Sequence, residues 1–431
     1  MDSASAARHD PDAVHASAAW RNADFLKLWV GQSVSMTGSQ VSGLAVPLIA
    51  AVLLDASPFD MGLLRAVSFA PVLLIGLPAG AWLDRVRRRP VMIAADLGQA
   101  ALLALLPLAA LFGALRIEHL YAVALLTGSL SLVFDIAQSA WLPGVLQPKH
   151  LMDANSKLEL SRWTVQVTGP GLAGGLIQLV GAPFALVADA ASFLVSAVLL
   201  SSVRTRETPA PPRSQSAGGW REGVAGLRLV FDHPALRSMA VTAAVSNLFA
   251  YIQAAVLILY VTRELAQPAT AYGAILAGFG LGGVCGSAVG PRAAKRLGYG
   301  GAIALGVTLM ASGDTAVALS GAPLPLVGLV AGQFLTGFGL PLCTVSMVSL
   351  RQSITPSELL GRVNAASRLL SWGALPLGAL LGGVLGDSIG LRPTLIVAAI
   401  GSALVVVWVL SAVTPVTRNA LTAAHAQARA A

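Results

Sequence analysis

About twelve apolar stretches divide this chain, each close to the ~20 residues a helix needs to cross the hydrocarbon core of a bilayer. They fall at 25–48, 61–83, 91–112, 120–142, 164–180, 184–203, 240–261, 271–289, 300–319, 324–346, 369–385 and 391–413. Such a pattern does not fit water. Composition agrees: 55% of residues are hydrophobic and 11% charged, where soluble domains carry about 25% charge. Membrane β-strands alternate apolar and polar residues over roughly ten positions, and these runs do not. The expected fold class is therefore an all-α membrane protein of about 12 transmembrane helices in two pseudo-symmetric six-helix bundles.

Charge placement predicts orientation. With an even number of spans, the connecting segments sort into two sets. One set holds all but four of the 28 Lys and Arg residues; the exceptions are Arg65, Arg116, Arg263 and Arg392. Basic residues mark the cytoplasmic side of a membrane, so both termini are expected there, in a bacterial inner membrane. The net charge of +8 is then a topology signal. Scattered over separate loops, these residues do not form a nucleic-acid surface. Residues 1–19 are small and polar without an apolar run, so they read as a disordered tail rather than a signal peptide. Cys285 and Cys343 both fall inside apolar runs and read as packing residues.

The chain divides in the middle. Residues 204–236 begin with ETPAPPRSQSAGG, a linker composition, and continue into WREGVAGLRLVFD. There Trp220, Val224, Leu227 and Phe231 share one helical face, which suits the membrane surface. The expected units are a tail (1–19), a first bundle (20–203), the linker with its amphipathic helix (204–236), a second bundle (237–414) and a tail (415–431). Weak internal repetition supports duplication. Pro148 and Pro356 precede corresponding spans, and Gly174-Gly175 matches Gly382-Gly383 at the same offset. Duplicated bundles are a transporter signature, with the substrate site between the halves.

Between the second and third spans lies GAWLDRVRRRPVM. Arginines there enforce orientation, but Asp84 contributes nothing to that rule. The string resembles the signature loop of the major facilitator superfamily, G-x-L-x-D-R-x-G-R-[RK]-x-x-L. Gly80, Asp84, Arg85, Arg88 and Arg89 stand at matching positions, while Trp82, Arg87 and Met92 depart from the pattern. The resemblance implies the major facilitator fold and a conformational latch. In it the loop carboxylate meets the positive N-terminal end of the eleventh helix, a contact of roughly 0.3–1 kcal/mol. The latch would shut the cytoplasmic side and break when that side opens. Arg362 and Arg368, before the eleventh span, and Asp96, one turn beyond the loop, are expected to join it.

Other strings, including NADFLKLWVGQSVSMTGSQV and RQSITPSELLGRVNAASRLLSWGALPLGALLGG, resemble the bacterial efflux branch that contains enterobactin-type siderophore exporters and macrolide efflux proteins. In the fifth span TGPGLAGG, with Gly169, Pro170, Gly174 and Gly175, is similar to the antiporter helix-bend motif with one extra residue between its pairs. It also reads as a small-residue packing surface. The arginine that many antiporters carry in the fourth span is missing from LLTGSLSLVFDIAQ.

Ionisable groups in hydrocarbon cost about 2.5–3.5 kcal/mol on insertion scales and tend to face cavities or partners. Asp135 sits roughly 6 Å from its span's midpoint at 1.5 Å per residue, with Gln138 almost one turn further. Asp135 is a candidate proton-binding group or, equally, a partner for a neighbouring helix. Arg65, Asp189 and Asp314 lie in the outer parts of their spans, where an Arg–Asp pair would make an extracellular gate or a static bridge. Gln32, Gln40, Gln166, Asn247, Gln253 and Gln333 are candidates to line a pathway or to bond between helices.

Other function classes lack their chemistry. There is no G-x-x-x-x-G-K-[ST] phosphate loop, and GFGLGG at 278–283 lies inside an apolar run without a preceding strand. The six histidines fall in tails or loops without metal-ligand spacing. Neither an enzyme nor a cofactor is expected. The sequence and its resemblance point to a monomeric secondary transporter in the bilayer. It exports a small drug-like or siderophore-like molecule by alternating access, with protons as the coupling ion. Nutrient import, or a non-transporting scaffold, are the alternatives.

Overall fold

The computed structural model describes residues 22–83, 85–146, 148–204, 219–321 and 325–414. Both expected tails, Asp84 and the first part of the linker lie outside these residues. In chain order the helices are α1 (Ala23–Leu48), α2 (Pro58–Leu74), α3 (Gly76–Leu83), α4 (Arg88–Leu111), α5 (Ile117–Val145), α6 (Pro148–Val180) and α7 (Ala182–Ser201). After the linker come α8 (Gly219–Asp232), α9 (Pro234–Leu259), α10 (Ala269–Leu319), α11 (Pro325–Ile354), α12 (Ser357–Ile389) and α13 (Leu391–Trp408). Among the described residues there is no strand. A helix satisfies its own backbone, which is what hydrocarbon demands of a spanning segment.

Nine helical stretches among the described residues are long and apolar enough to cross a membrane. Three further crossings escape that measure for physical reasons. α10 is two spans joined at Gly298, whose φ of 72° breaks the helix. Its first half meets α11 in parallel register (Gly278 on Val330, Gly282 on Phe334, Gly286 on Phe338) and its second half in antiparallel register (Gly306 on Cys343, Gly313 on Gly332), so the chain reverses at that glycine. The second crossing is interrupted at Ile75 into α2 and α3. α6 carries Lys157, Glu159 and Arg162 in its first half. The result is the expected two sets of six.

The halves repeat in detail. α1 and α9 each end in a π-helical turn, Ile49–Leu53 and Tyr260–Glu264, followed two residues later by a left-handed residue, Asp55 (φ 47°) or Ala266 (φ 50°). The closing bonds correspond: Leu54 N–H to Ile49 O and Ala56 N–H to Ala50 O, against Leu265 N–H to Tyr260 O and Gln267 N–H to Val261 O. Likewise single glycines, Gly181 (φ 84°, ψ 154°) and Gly390 (φ 93°, ψ 166°), reverse the chain between α6 and α7 and between α12 and α13. Only glycine adopts that backbone readily. Pro148 and Pro356 stand at the starts of α6 and α12.

Helix termini place most Lys and Arg residues at one end of the bundle, here the basic end, opposite a far end that holds Asp55, Arg263 and Asp387. The hydrophobic interior is unequal along this axis. Toward the far end one continuous core joins both halves, drawing Leu44, Leu48 and Ile49 of the first together with Val256, Ile258 and Tyr272 of the second. Toward the basic end no core joins the halves. The first half has one around Phe25, Leu28, Met92 and Trp141; the second has one around Val230, Met239, Met347 and Val409 and a small one of Ala293, Ala302 and Leu342.

In α8 the side chains up to residue 225, Trp220 and Val224 among them, lie outside the described residues. Beyond them Gly226 and Val230 are buried while Phe231 is exposed. The helix lies on α12, where a Cβ at Gly226 would stand 2.6 Å from Arg362 O.

Gly390→Ala is expected to cost roughly 1–3 kcal/mol, because it forces a side chain into a glycine-only backbone region. The thermal unfolding midpoint of the purified protein in detergent should fall, and no fall would show that the reversal tolerates a Cβ.

Candidate functional site

Helices in lipid associate through close packing of small residues, and such contacts join the two halves at the far end. A Cβ on Gly62 of α2 would lie 2.5 Å from Ala379 O and 2.8 Å from Gly383 Cα of α12, and one on Gly386 2.7 Å from Pro58. On the other flank a Cβ on Gly273 of α10 would lie 3.1 Å from Pro170 O of α6. The expected helix-bend motif is thus an interface. Gly169 abuts Gln40 of α1, Gly174 faces Gly273, Pro170 supplies its carbonyl, and Gly175 faces open space. Gln166 likewise offers its backbone carbonyl to Gly280.

Polar contacts reinforce this closure. Arg263 Nη2, in the π-helical turn after α9, donates to Asp55 Oδ1 at 2.7 Å and to the carbonyls of Ala56 and Ala51 at 2.9 and 3.1 Å. Asp387 Oδ2 near the end of α12 accepts from the Phe59 N–H at 3.0 Å, capping the first turn of α2 from across the interface. Both contacts link the first six crossings to the second six.

The gate expected from Arg65, Asp189 and Asp314 takes a different form. Asp189 accepts from Ser42 and from Ser192 (3.1 Å). Asp314 accepts from Ser402 (2.7 Å) and Thr336 (3.2 Å), inside the second half. Arg65 shares a cavity of about 290 Å³ with Asp189 and makes no ion pair with it among the described residues. The carboxylates find hydroxyls at hand, which satisfies them without a cation. Residues 55 and 263 lay in short connections that sequence reading treated as loops. The rule that a left-handed non-glycine position favours Asp was the only signal that marked Asp55.

Toward the basic end the halves part around a cavity of about 1180 Å³. Asp135 and Gln138 of α5, Arg162 of α6, and Arg368 and Trp372 of α12 all line it. Arg368 stacks over the Trp372 ring at 4.1 Å, a cation–π contact that fixes its head at the wall. Apolar wall comes from residues such as Met36, Leu132, Ile136 and Leu369, and further polar groups from Ser139, Asn155 and Glu159. A second pocket of about 270 Å³ opens off it inside the first six helices, sharing Asp135 and Arg162 and adding Gln32, Gln40 and Asp96. Asn247 bonds the Ser371 carbonyl at 2.8 Å, while Gln253 and Gln333 are buried within the second half. Asn247 thus ties α9 to α12, and none of the three lines the cavity. Among the described residues no His, Cys, Asp or Glu cluster could hold a metal.

The expected latch residues are dispersed. Asp84 lies outside the described residues. Gly80 has open space around it and Arg85 is exposed. Arg88 is half-buried near the start of α4. Arg89 donates to the Leu200 and Ser201 carbonyls at 2.9 and 2.5 Å, capping the C-terminal end of α7. Arg362 is exposed, Arg368 lines the cavity, and Asp96 faces Ser196 inside the first six helices. At the same end Arg351 bonds Asn364 at 3.1 Å, a pairing between α11 and α12 that no motif announced.

The family model for transmembrane secretion effectors, within the major facilitator superfamily, matches residues 14–430. The chain belongs to this family. It is a multi-pass bacterial membrane transporter of the efflux branch. The multidrug efflux pump Tap of Mycolicibacterium fortuitum is 27% identical over 350 residues, covering 79% of this chain and 84% of that protein. The fold is similar to a bacterial homologue of the iron transporter ferroportin in its inward-facing state, with a TM-score of 0.74 at 17% identity over 91% of this chain and 98% of that one. The same homologue in an outward-facing state gives 0.58 at 18% identity, over 90% and 98%.

The Arg263–Asp55 pair is largely exposed, so its strength falls in the range of about 0.2–1 kcal/mol. Asp55→Asn should therefore raise the far-end accessibility of a cysteine placed at Ser39, in a background lacking Cys285 and Cys343, by at most about fivefold. Impermeant maleimide labelling from the far side measures this, and unchanged labelling would mean the pair does not hold the closure.

Proposed function

We propose that this transporter exports a small amphipathic molecule from the cytoplasm by alternating access, in exchange for protons. The carrying observation is the unequal core: one continuous apolar interior joining both halves at the far end, but separate cores in each half and a large cavity toward the basic end. If the basic end is cytoplasmic, as charge placement argues, this is an inward-facing arrangement ready to load from inside. The higher fold score with the inward-facing relative agrees. Export from a bacterial inner membrane, with both termini inside, follows from that orientation together with the efflux pumps among the relatives.

Rocking the halves about the glycine contacts would part Arg263 from Asp55 and bring the basic-end elements together. The Asp84 loop then meets the start of α12 and forms the latch. Its dispersal here fits an arrangement in which that side is open. Cavity chemistry supports the substrate class. Leu132, Ile136, Leu369 and Trp372 offer apolar and aromatic surface, while Asp135, Arg162 and Arg368 offer charge of both signs. Asp135 is exposed to the cavity, where it can exchange a proton with water while substrate is absent.

Ethidium as a probe tests this in proteoliposomes with an imposed pH gradient. Flux should follow the gradient. Asp135→Asn should reduce gradient-driven flux by roughly tenfold or more, about 1.4 kcal/mol at the limiting step, and Asp84→Asn should do the same through the latch. Undiminished gradient-driven flux in Asp135→Asn would clear it of that role. Accumulation down the gradient instead of against it would make the protein an importer.

A further inference from the structure

We infer that Asp96, together with Gln32, holds an exchangeable proton in the side pocket of the first six helices. The inference rests on the proton-coupled reading for its part in transport, but the site itself stands on burial, a shared pocket and two unpartnered oxygens. Asp96 of α4 is 1% exposed and Gln32 of α1 is 8% exposed, and both line the 270 Å³ pocket. The Ser196 hydroxyl of α7 lies beside the Asp96 carboxyl. Asp96 Oδ2 has no donor, and neither has Gln32 Oε1, though both atoms are enclosed. Both side chains line the same pocket, and α1 and α7 pack closely beside it: a Cβ on Gly31 would stand 3.2 Å from the Cα of Ser196.

A buried acceptor is seldom left without a donor, and an ionised carboxylate there is costly. Among the described residues no group of three His, Cys, Asp or Glu side chains is present to hold a metal ion, whereas a proton needs only the one carboxylate. Protonation of Asp96 turns its carboxylate into a neutral acid with one O–H, which can donate to an acceptor lining the pocket such as Gln32 Oε1. The proton comes from hydronium in the central cavity and returns there when Asp96 ionises. No other bond changes.

A route is present. The pocket shares Asp135 and Arg162 with the central cavity, and it shares Ser39, Gln99 and Ser131 with the smaller cavity that holds Arg65 and Asp189. Among the described residues, the charged groups facing Asp96 are therefore Asp135 from α5 and Arg162 from α6. From α7 come the Ser196 hydroxyl and, one cavity further, Asp189; the polar groups of α1 are all neutral, namely Gln32, Ser35, Ser39 and Gln40. On α4 itself Arg89 is committed to the Leu200 and Ser201 carbonyls. The second half offers no equivalent, since both oxygens of Asp314 already accept hydroxyls.

Infrared difference spectra of the full chain in proteoliposomes, between acid and alkaline buffer, test the site directly. A titrating carboxylic C=O band should be present, lost in Asp96→Asn, kept in Asp135→Asn and moved to higher frequency in Gln32→Leu. Asp96→Glu should restore a titrating band, which separates loss of the group from misfolding. A band that survives Asp96→Asn, or ignores Gln32→Leu, overturns the inference. Ethidium flux that ignores the pH gradient in the wild type, with the band still assigned to Asp96, would remove proton coupling and leave the proton site standing.

Discussion

Close approach of helix backbones at glycine is the contact on which this architecture depends. In hydrocarbon an apolar side chain gains little by turning away from lipid, so the hydrophobic effect does not assemble the helices. Dispersion between surfaces that can come near one another does. Gly62 against Gly383, and Gly174 against Gly273, put bare backbone on bare backbone between the two halves. These contacts are narrow and lack long interlocking side chains. They can act as a fulcrum, because little has to disengage when one half tilts.

Gating and chemistry are unequally shared between the halves. Both carry the same π-helical turn with a left-handed residue after it, yet only the first copy has an acid there. The arginine it meets, Arg263, belongs to the turn of the other copy. Buried carboxylates divide similarly. Asp314 is fully occupied by hydroxyls, while Asp96 keeps an oxygen unclaimed beside a cavity. Duplication supplied the frame, and divergence of single side chains gave each half its task.

Run length and hydropathy revealed the crossings, because a membrane helix must be apolar over a fixed distance. Even there the windows for the fifth and eleventh spans were short. α6 and α12 extend well beyond the apolar part through residues such as Lys157 and Arg362, which can sit outside hydrocarbon. Asp135 was legible as a cavity residue because a charge at that depth needs a reason. Arg263–Asp55 was not, since residues in short connections carry no depth signal and their pairing spans 208 positions. Asp96 was legible as unusual but drawn to the neighbouring signature loop. Only the structure shows that it faces Ser196 and an enclosed pocket. Pairing partners depend on which helices are neighbours, and hydropathy is silent on that.

The single-residue reversals at Gly181 and Gly390 have a consequence for how the molecule meets its surroundings. Among the described elements no two at the far end are separated by more than five residues, so that face is made mainly of helix ends. Such a face offers a protease or an antibody little extended chain to engage.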